Sequence, residues 1–194
     1  MTGTLEATEA GEDGGGGGSG TSFGPVDEIA QVAGPVGGLW VAHNDRGICG
    51  SAFANLITFA RFREELHDRT GRPAARGDDL PDDLYDAIEL AFATGHRDEL
   101  AFDFTGATPF QQSVWEACLG VPPGETRTYA EIAKVVHRPN AVRAVGTALG
   151  SNPIPVLVPC HRVLRTDGSL GGYAFGELVK QKLLDREAER AAAA

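Results

Sequence analysis

One short stretch of the 194-residue chain groups residue types able to do covalent chemistry, Pro159-Cys160-His161-Arg162, with Arg165 just beyond. A free thiol titrates near 8.5, so only about 3% is thiolate at pH 7, and a cysteine nucleophile needs a base or a positive field beside it. His161 is a candidate base, and Arg162 and Arg165 supply positive charge. The competing reading of Cys160 is a buried structural thiol. Cys49 and Cys118 have no such neighbours and read as packing residues. Three widely spaced cysteines form neither a disulfide framework nor a metal clip, which points to a reducing cytoplasm. His43 and Cys49 are too few for a zinc site. Asp78, Asp79, Asp82 and Asp83 lack cation-ligand spacing and read as a solvated loop and helix start.

The elements that must position this stretch carry clear local signals. Pro155 to Val158 is expected as a short buried strand that presents Cys160 at its end. Upstream, Thr108-Pro109-Phe110-Gln111 and Thr128-Tyr129-Ala130-Glu131 are capping boxes opening two helices. The second runs to about Val136. His137-Arg138-Pro139-Asn140 makes a turn, and Asn140 is placed to cap a third helix over Ala141–Leu149. Two short helices about a tight turn, with Arg143 in the opening turn of the second, have the form of a helix-turn-helix.

The first half is chemically quieter. Gly38–Ala42 and Ile48–Phe53 predict two strands joined by a hairpin turn at Asn44-Asp45-Arg46-Gly47. Helices are expected over 55–69 and 82–93, a loop from Thr70 to Pro81, and a strand over Glu99–Phe104. Residues 1–22, acidic and including the run Gly14–Gly18, predict a disordered tail. The expected architecture is α/β in two small subdomains. Residues 23–105 form a small β-sheet with helices, and residues 106–190 form a mostly helical domain with the helix-turn-helix and the short active-site strand.

The net charge of −10 argues against a nucleic-acid partner only until it is divided. Residues 1–24 carry four acids and no base, and residues 25–109 carry 15 acids against seven bases. Residues 127–165 instead carry six bases against the single acid Glu131, a local +5. This is either a solvated basic face or a DNA-reading one, and its coincidence with the helix-turn-helix favours DNA. No apolar run approaches the roughly 20 residues of a membrane span, and no signal-peptide pattern opens the chain.

Asn152-Pro-Ile-Pro, Pro159-Cys-His-Arg162 and Asp167-Gly-Ser-Leu-Gly-Gly-Tyr173 closely resemble the O6-alkylguanine-DNA alkyltransferases, the methylated-DNA–protein-cysteine methyltransferases. Thr108–Trp115, Gly124–Tyr129 and Ala141–Gly146 extend the match, which is nearly continuous from Thr105 to Glu187 and loose before it. The resemblance implies direct reversal of DNA damage: a methyl or small alkyl group moves irreversibly from guanine O6 to Cys160, once per molecule and without a cofactor. It implies that His161 deprotonates Cys160 through a water, that Glu187 orients His161, and that Asn152 braces the turn. Tyr129 would help swing the nucleotide out and donate to the departing guanine. Arg143 would fill the vacated stack, Ala141 and Ala144 would allow close approach to the minor groove, and Arg138 would contact DNA. Val163, Tyr173 and Ala174 would hold the base, with Pro155 and Phe175 beside it. The implied partner is double-stranded DNA bearing an alkylated guanine, bound by a monomer.

The chain departs from the family at Tyr173-Ala174-Phe175-Gly176, where many relatives have Tyr-Ser-Gly-Gly. A bulky ring at 175 is expected to admit methyl and disfavour benzyl groups, unless it points away and only packs. The alternative for the whole chain is a non-catalytic, alkyltransferase-like lesion-binding or regulatory protein. Members of that group lack the acceptor cysteine. A Cys-His hydrolase would have no use for the basic helix-turn-helix.

Overall fold

The structure, a computed structural model, describes residues 26–193. The tail expected over 1–22 lies outside them. The hairpin expected around Asn44–Gly47 is present, joining β2 (Gly37–Asn44) to β3 (Gly47–Phe53). Gly47 takes φ 125°, and a Cβ there would lie 2.3 Å from the Ala101 carbonyl oxygen, so both the turn and the close approach of the Ala101 backbone need glycine.

A strand that the sequence reading missed, β1 (Asp27–Gly34), pairs antiparallel with β2, with Ile29 opposite Ala42. A second unexpected strand, β4 (Ala74–Arg76), lies inside the predicted loop and runs parallel to β1. The sheet order is β3-β2-β1-β4. The strand predicted at Glu99–Phe104 is corrected. Only Phe102 bridges to Ile48, because the segment meets β3 through two backbone bonds at Ile48 and then turns away.

Alternation along β2 splits the core. Leu39 and Val41 face the main apolar cluster, while Trp40 and Ala42 join Cys49, Phe62 and Leu66 in a smaller one. Helix α1 (Phe59–Thr70) therefore covers one face of the sheet, and α2 (Asp82–Thr94) contributes Ala87, Ile88 and Ala91 to the core on the other. The main cluster continues into Trp115, Ile132, Val145, Leu157 and Leu183, so the two halves of the chain share one core across the boundary expected at 105/106.

In the second half both capping boxes form. Thr108 caps α3 (Pro109–Leu119) and Thr128 caps α4 (Tyr129–Val135). The two-residue strand β5 (Arg127–Thr128) runs parallel to β6 (Val163–Leu164), tying the start of α4 to the segment after Cys160. Helix α5 (Val142–Gly150) completes the helix-turn-helix and packs on α3, where the Trp115 indole N–H donates to the Ala148 carbonyl at 2.8 Å. The expected Asn140 cap is absent. His137 turns through φ 55° and the Ala141 amide bonds to the Arg138 carbonyl, so the N-cap position falls on Ala141. The C-terminal helix, α6 (Glu177–Ala193), packs its Lys180 and Leu183 inward. None of the helices among the described residues is long and apolar enough to cross a membrane.

Candidate active site

Pro155–Val158 is not a strand. These residues form a bend closed by a single Pro155–Val158 bridge, with Val156 at φ 73°, a left-handed conformation that a β-branched residue adopts only under constraint. The constraint comes from several sides. Ser51 of β3 donates its amide to the Pro153 carbonyl (2.9 Å) and its hydroxyl to the Pro155 carbonyl (2.7 Å). Arg97 donates Nε to the Leu157 carbonyl at 2.8 Å. Asn152 works from within, accepting from the Ile154 amide (3.0 Å) and donating Nδ2 to the Val158 carbonyl (2.9 Å). The bend is thereby fixed without a ladder, and Cys160 opens the short 3-10 turn Cys160–Arg162 directly after it.

Asn152 also reaches the nucleophile, its Nδ2 lying 3.1 Å from Cys160 Sγ. Burial pushes the Cys160 thiol up. The Asn152 hydrogen bond, the nearby Lys180 ammonium and backbone N–H groups oppose this, and the thiol stays above its ordinary value. Cys49 and Cys118 are fully buried, and burial drives both thiols far above their ordinary range, which fits packing residues.

Behind Cys160, His161 is fully buried and pairs Nε2 with Glu187 Oε1 at 2.8 Å. Arg162 meets the same carboxylate with two bonds of 2.9 Å and gives a third to the Val121 carbonyl. Burial opposes the charge on Glu187, but the His161 and Arg162 hydrogen bonds outweigh it and hold the carboxyl at about 2. Burial lowers His161 below its usual value, with Glu187 acting against it. A neutral imidazole donating Nε2–H to an ionised carboxylate leaves Nδ1 as a lone-pair acceptor. Nδ1 is buried without a protein partner, as a waiting base requires.

The Cys160 side chain faces a cavity of about 510 Å³. Asn152 and Pro155 share its floor with Cys160. Tyr129 and the α5 residues Arg143, Gly146 and Leu149 line one wall, and Gly172 to Phe175 line the other. Gly171, at φ 69°, lets the Tyr129 hydroxyl pack against the chain, since a Cβ there would fall 2.8 Å from it. The Tyr173 hydroxyl is buried and unpartnered.

Eight of the expected residues therefore meet at the cavity: Cys160, Asn152, Tyr129, Arg143, Pro155, Tyr173, Ala174 and Phe175. His161 and Glu187 stand behind it. Ala141, Ala144 and Arg138 lie outside the lining, with Ala144 and Arg138 exposed on and before α5. Val163 is buried and does not line the cavity, and its carbonyl accepts from Lys180 Nζ at 2.6 Å. Phe175 neither points away from the cavity nor stands free in it. Its ring lines the cavity and also packs edge-on against Phe53 (5.0 Å) and Tyr173 (5.8 Å).

Lys180 was missed in the sequence. It is almost fully buried, spans from the Val163 carbonyl to the Leu170 carbonyl, and is lowered to about 8 by burial. The available signal was helical spacing, because Lys180, Leu183 and Glu187 at i, i+3 and i+7 share one face of α6. Arg162, read only as a source of charge, is the main clamp on Glu187.

Residues 109–189 match the family described as 6-O-methylguanine DNA methyltransferase, DNA binding domain. The chain is 36% identical over 168 residues to the methylated-DNA–protein-cysteine methyltransferase of Salmonella typhimurium, covering 81% of this chain and 93% of that protein. It is 40% identical over 164 residues to the bifunctional transcriptional activator/DNA repair enzyme Ada of Escherichia coli, covering 79% of this chain but only 43% of Ada. Its fold is similar to that of Mycobacterium tuberculosis OGT in complex with DNA, with a TM-score of 0.67 and 34% identity over 84% of this chain and 94% of that one.

Proposed function

The chain belongs to the methylated-DNA–protein-cysteine methyltransferase family, and from that membership we infer that it repairs DNA by direct reversal, moving a methyl or small alkyl group from guanine O6 to Cys160. The observation that carries this reading is the placement of Cys160 Sγ at the floor of a cavity walled by the helix-turn-helix, with a buried His161–Glu187 pair behind it.

The Cys160 proton passes to His161 Nδ1 through a water, and the imidazolium that forms is stabilised by Glu187. Sγ attacks the saturated alkyl carbon. The S–C bond forms, the C–O6 bond breaks, and the departing guanine regains its proton from the Tyr129 hydroxyl. The product is a thioether with no electrophilic centre for water to attack, so each molecule acts once. The acceptor is the thiolate itself, and the step calls for no cofactor.

The lesion reaches the cavity by leaving the duplex. Arg143, exposed in the first turn of α5 at the cavity rim, takes the vacated place in the stack, and Tyr129 assists the extrusion. O6-alkylguanine pairs poorly, which reduces the few kcal/mol that extrusion costs. Ala141 and Ala144 keep α5 slim against the groove, Arg138 contacts the backbone, and Tyr173, Ala174 and backbone groups near Cys160 hold the base. Acceptor, base and DNA-reading helices come from one chain, which supports a monomer, and three free thiols support a reducing, cytoplasmic setting.

The test is stoichiometry. With excess O6-methylguanine duplex, the lesions removed should equal the protein molecules present and then stop. Continued turnover would overturn the single-use thioether.

A further inference from the structure

Two cations flank the cavity. Arg143 comes from α5, and Arg165 follows directly after β6. Arg165 heads a tight turn in which its amide donates to the Ser169 carbonyl (2.9 Å), its carbonyl accepts from the Gly168 amide (3.0 Å), and Gly168 takes φ 82°. The nearest acid in this turn is already engaged, as Asp167 Oδ1 accepts from the Ser169 amide (3.0 Å) and hydroxyl (2.7 Å). Among the described residues the Arg165 side chain makes no ion pair and no hydrogen bond, although it is exposed and lines the cavity. Arg162, three residues earlier, spends its guanidinium on Glu187 and the Val121 carbonyl.

The field of Arg165 reaches Asp167 in its own turn and the mouth of the cavity. It favours ionisation of the Tyr129 hydroxyl against the effect of burial, and it disfavours the Lys180 ammonium. The groups acting on the Cys160 thiol are Asn152, Lys180 and nearby amides instead. A free guanidinium at the entrance, beside the residue that assists extrusion, suits an anion that arrives with the base. On a nucleotide drawn out of a duplex, that anion is the backbone phosphate.

We propose that Arg165 is a positioning residue that takes a phosphate flanking the lesion, so that the extruded nucleotide is held at a cavity that Arg143, Arg165 and Cys160 all line. This rests on the alkyl-transfer reading above. Positioning through a phosphate is independent of base identity, as suits lesions found in any sequence.

The test is binding of lesion duplex by the whole chain across a salt series, with Cys160→Ser as the common background to prevent reaction. One lost phosphate contact lowers the slope of log affinity against log salt by about 0.9. Arg165→Gln should show that loss and bind several-fold more weakly, while Arg165→Lys keeps the slope. A neutral methylphosphonate, scanned across the linkages beside the lesion, should at one position weaken the background and leave Arg165→Gln unaffected. An unchanged slope in Arg165→Gln, or equal sensitivity of both proteins at every linkage, overturns the proposal. A parent chain that transfers methyl while the slope stays unchanged overturns the role of Arg165 alone. A parent chain that gains no methyl overturns the underlying reading and this proposal together.

Discussion

Glu187 gathers hydrogen bonds from His161, two Arg162 nitrogens and the Gly124 amide onto one carboxylate, and its ionisation connects stability to chemistry. Its value of about 2 in the folded chain lies below the ordinary 4.5, so the stability it contributes is present above pH 4.5 and is lost as pH falls toward 2. Glu187→Gln leaves Arg162 buried without its counter-charge, which should cost about 3–5 kcal/mol at pH 7. The gap in urea midpoint between parent and variant should narrow as the pH falls from 4.5 toward 2, and a gap independent of pH would contradict the assignment. The same substitution removes the anion that supports the imidazolium, so single-turnover methyl transfer at pH 7 should slow by roughly 100-fold, within the range of general-base effects. His161 is lowered by burial, so the acid limb of the parent rate profile should lie below pH 6.5. Phe175 lines two cavities, the one over Cys160 and a neighbour of about 630 Å³ reaching Leu56 and Arg69. Phe175→Gly clears the ring from both and should raise the rate of inactivation by O6-benzylguanine by roughly tenfold, the scale of a hydrophobic pocket change. Equal rates would show that the ring only packs.

Elements whose signals are local were legible in the sequence, and those that depend on distant partners were not. The Thr108 and Thr128 boxes each fit within four residues, so sequence alone located α3 and α4. Thr128→Ala removes a cap at the exposed start of the helix-turn-helix and should cost about 1 kcal/mol by thermal or urea unfolding. No change would mean that β5 and β6 alone hold the start of α4. Strand β1 was hidden because it opens with Asp27 and Glu28. Buried Asp27 is explained by Arg72 at 2.7 Å, Asn44 at 2.9 Å and the Thr70 hydroxyl at 3.5 Å, all distant in the chain. Strand β4 was hidden between Pro73 and Gly77, in a segment with the composition of a loop. Pro155–Val158 failed in the other direction. Its apolar content suggested a strand, yet Ser51, Arg97 and Asn152 satisfy its backbone as a bend. At the site itself, the cavity residues were carried by the family resemblance, while Lys180 and the clamping role of Arg162 required the fold.

Over the whole molecule, one apolar cluster runs from Leu39 and Val41 in the sheet to Ile132, Leu157 and Leu183 around the site. Ser51, in the first half, holds the bend that presents Cys160. The described part should therefore unfold in a single calorimetric transition, and two separated transitions would contradict the shared core. The net −10 is likewise a sum over parts with different roles, since residues 127–165 carry +5. With a Debye length of about 8 Å at physiological salt, acids elsewhere repel a bound duplex only weakly. Arg162 is buried on Glu187, so the basic surface of this stretch comes from its other bases, and the acidic remainder restrains non-specific adhesion. The central claim, that Cys160 accepts the alkyl group, is tested most directly by intact-mass spectrometry after incubation with O6-methylguanine duplex. The parent chain should gain one methyl group, located at Cys160, and Cys160→Ser should gain none. A parent chain that binds the lesion but keeps its mass would contradict the account.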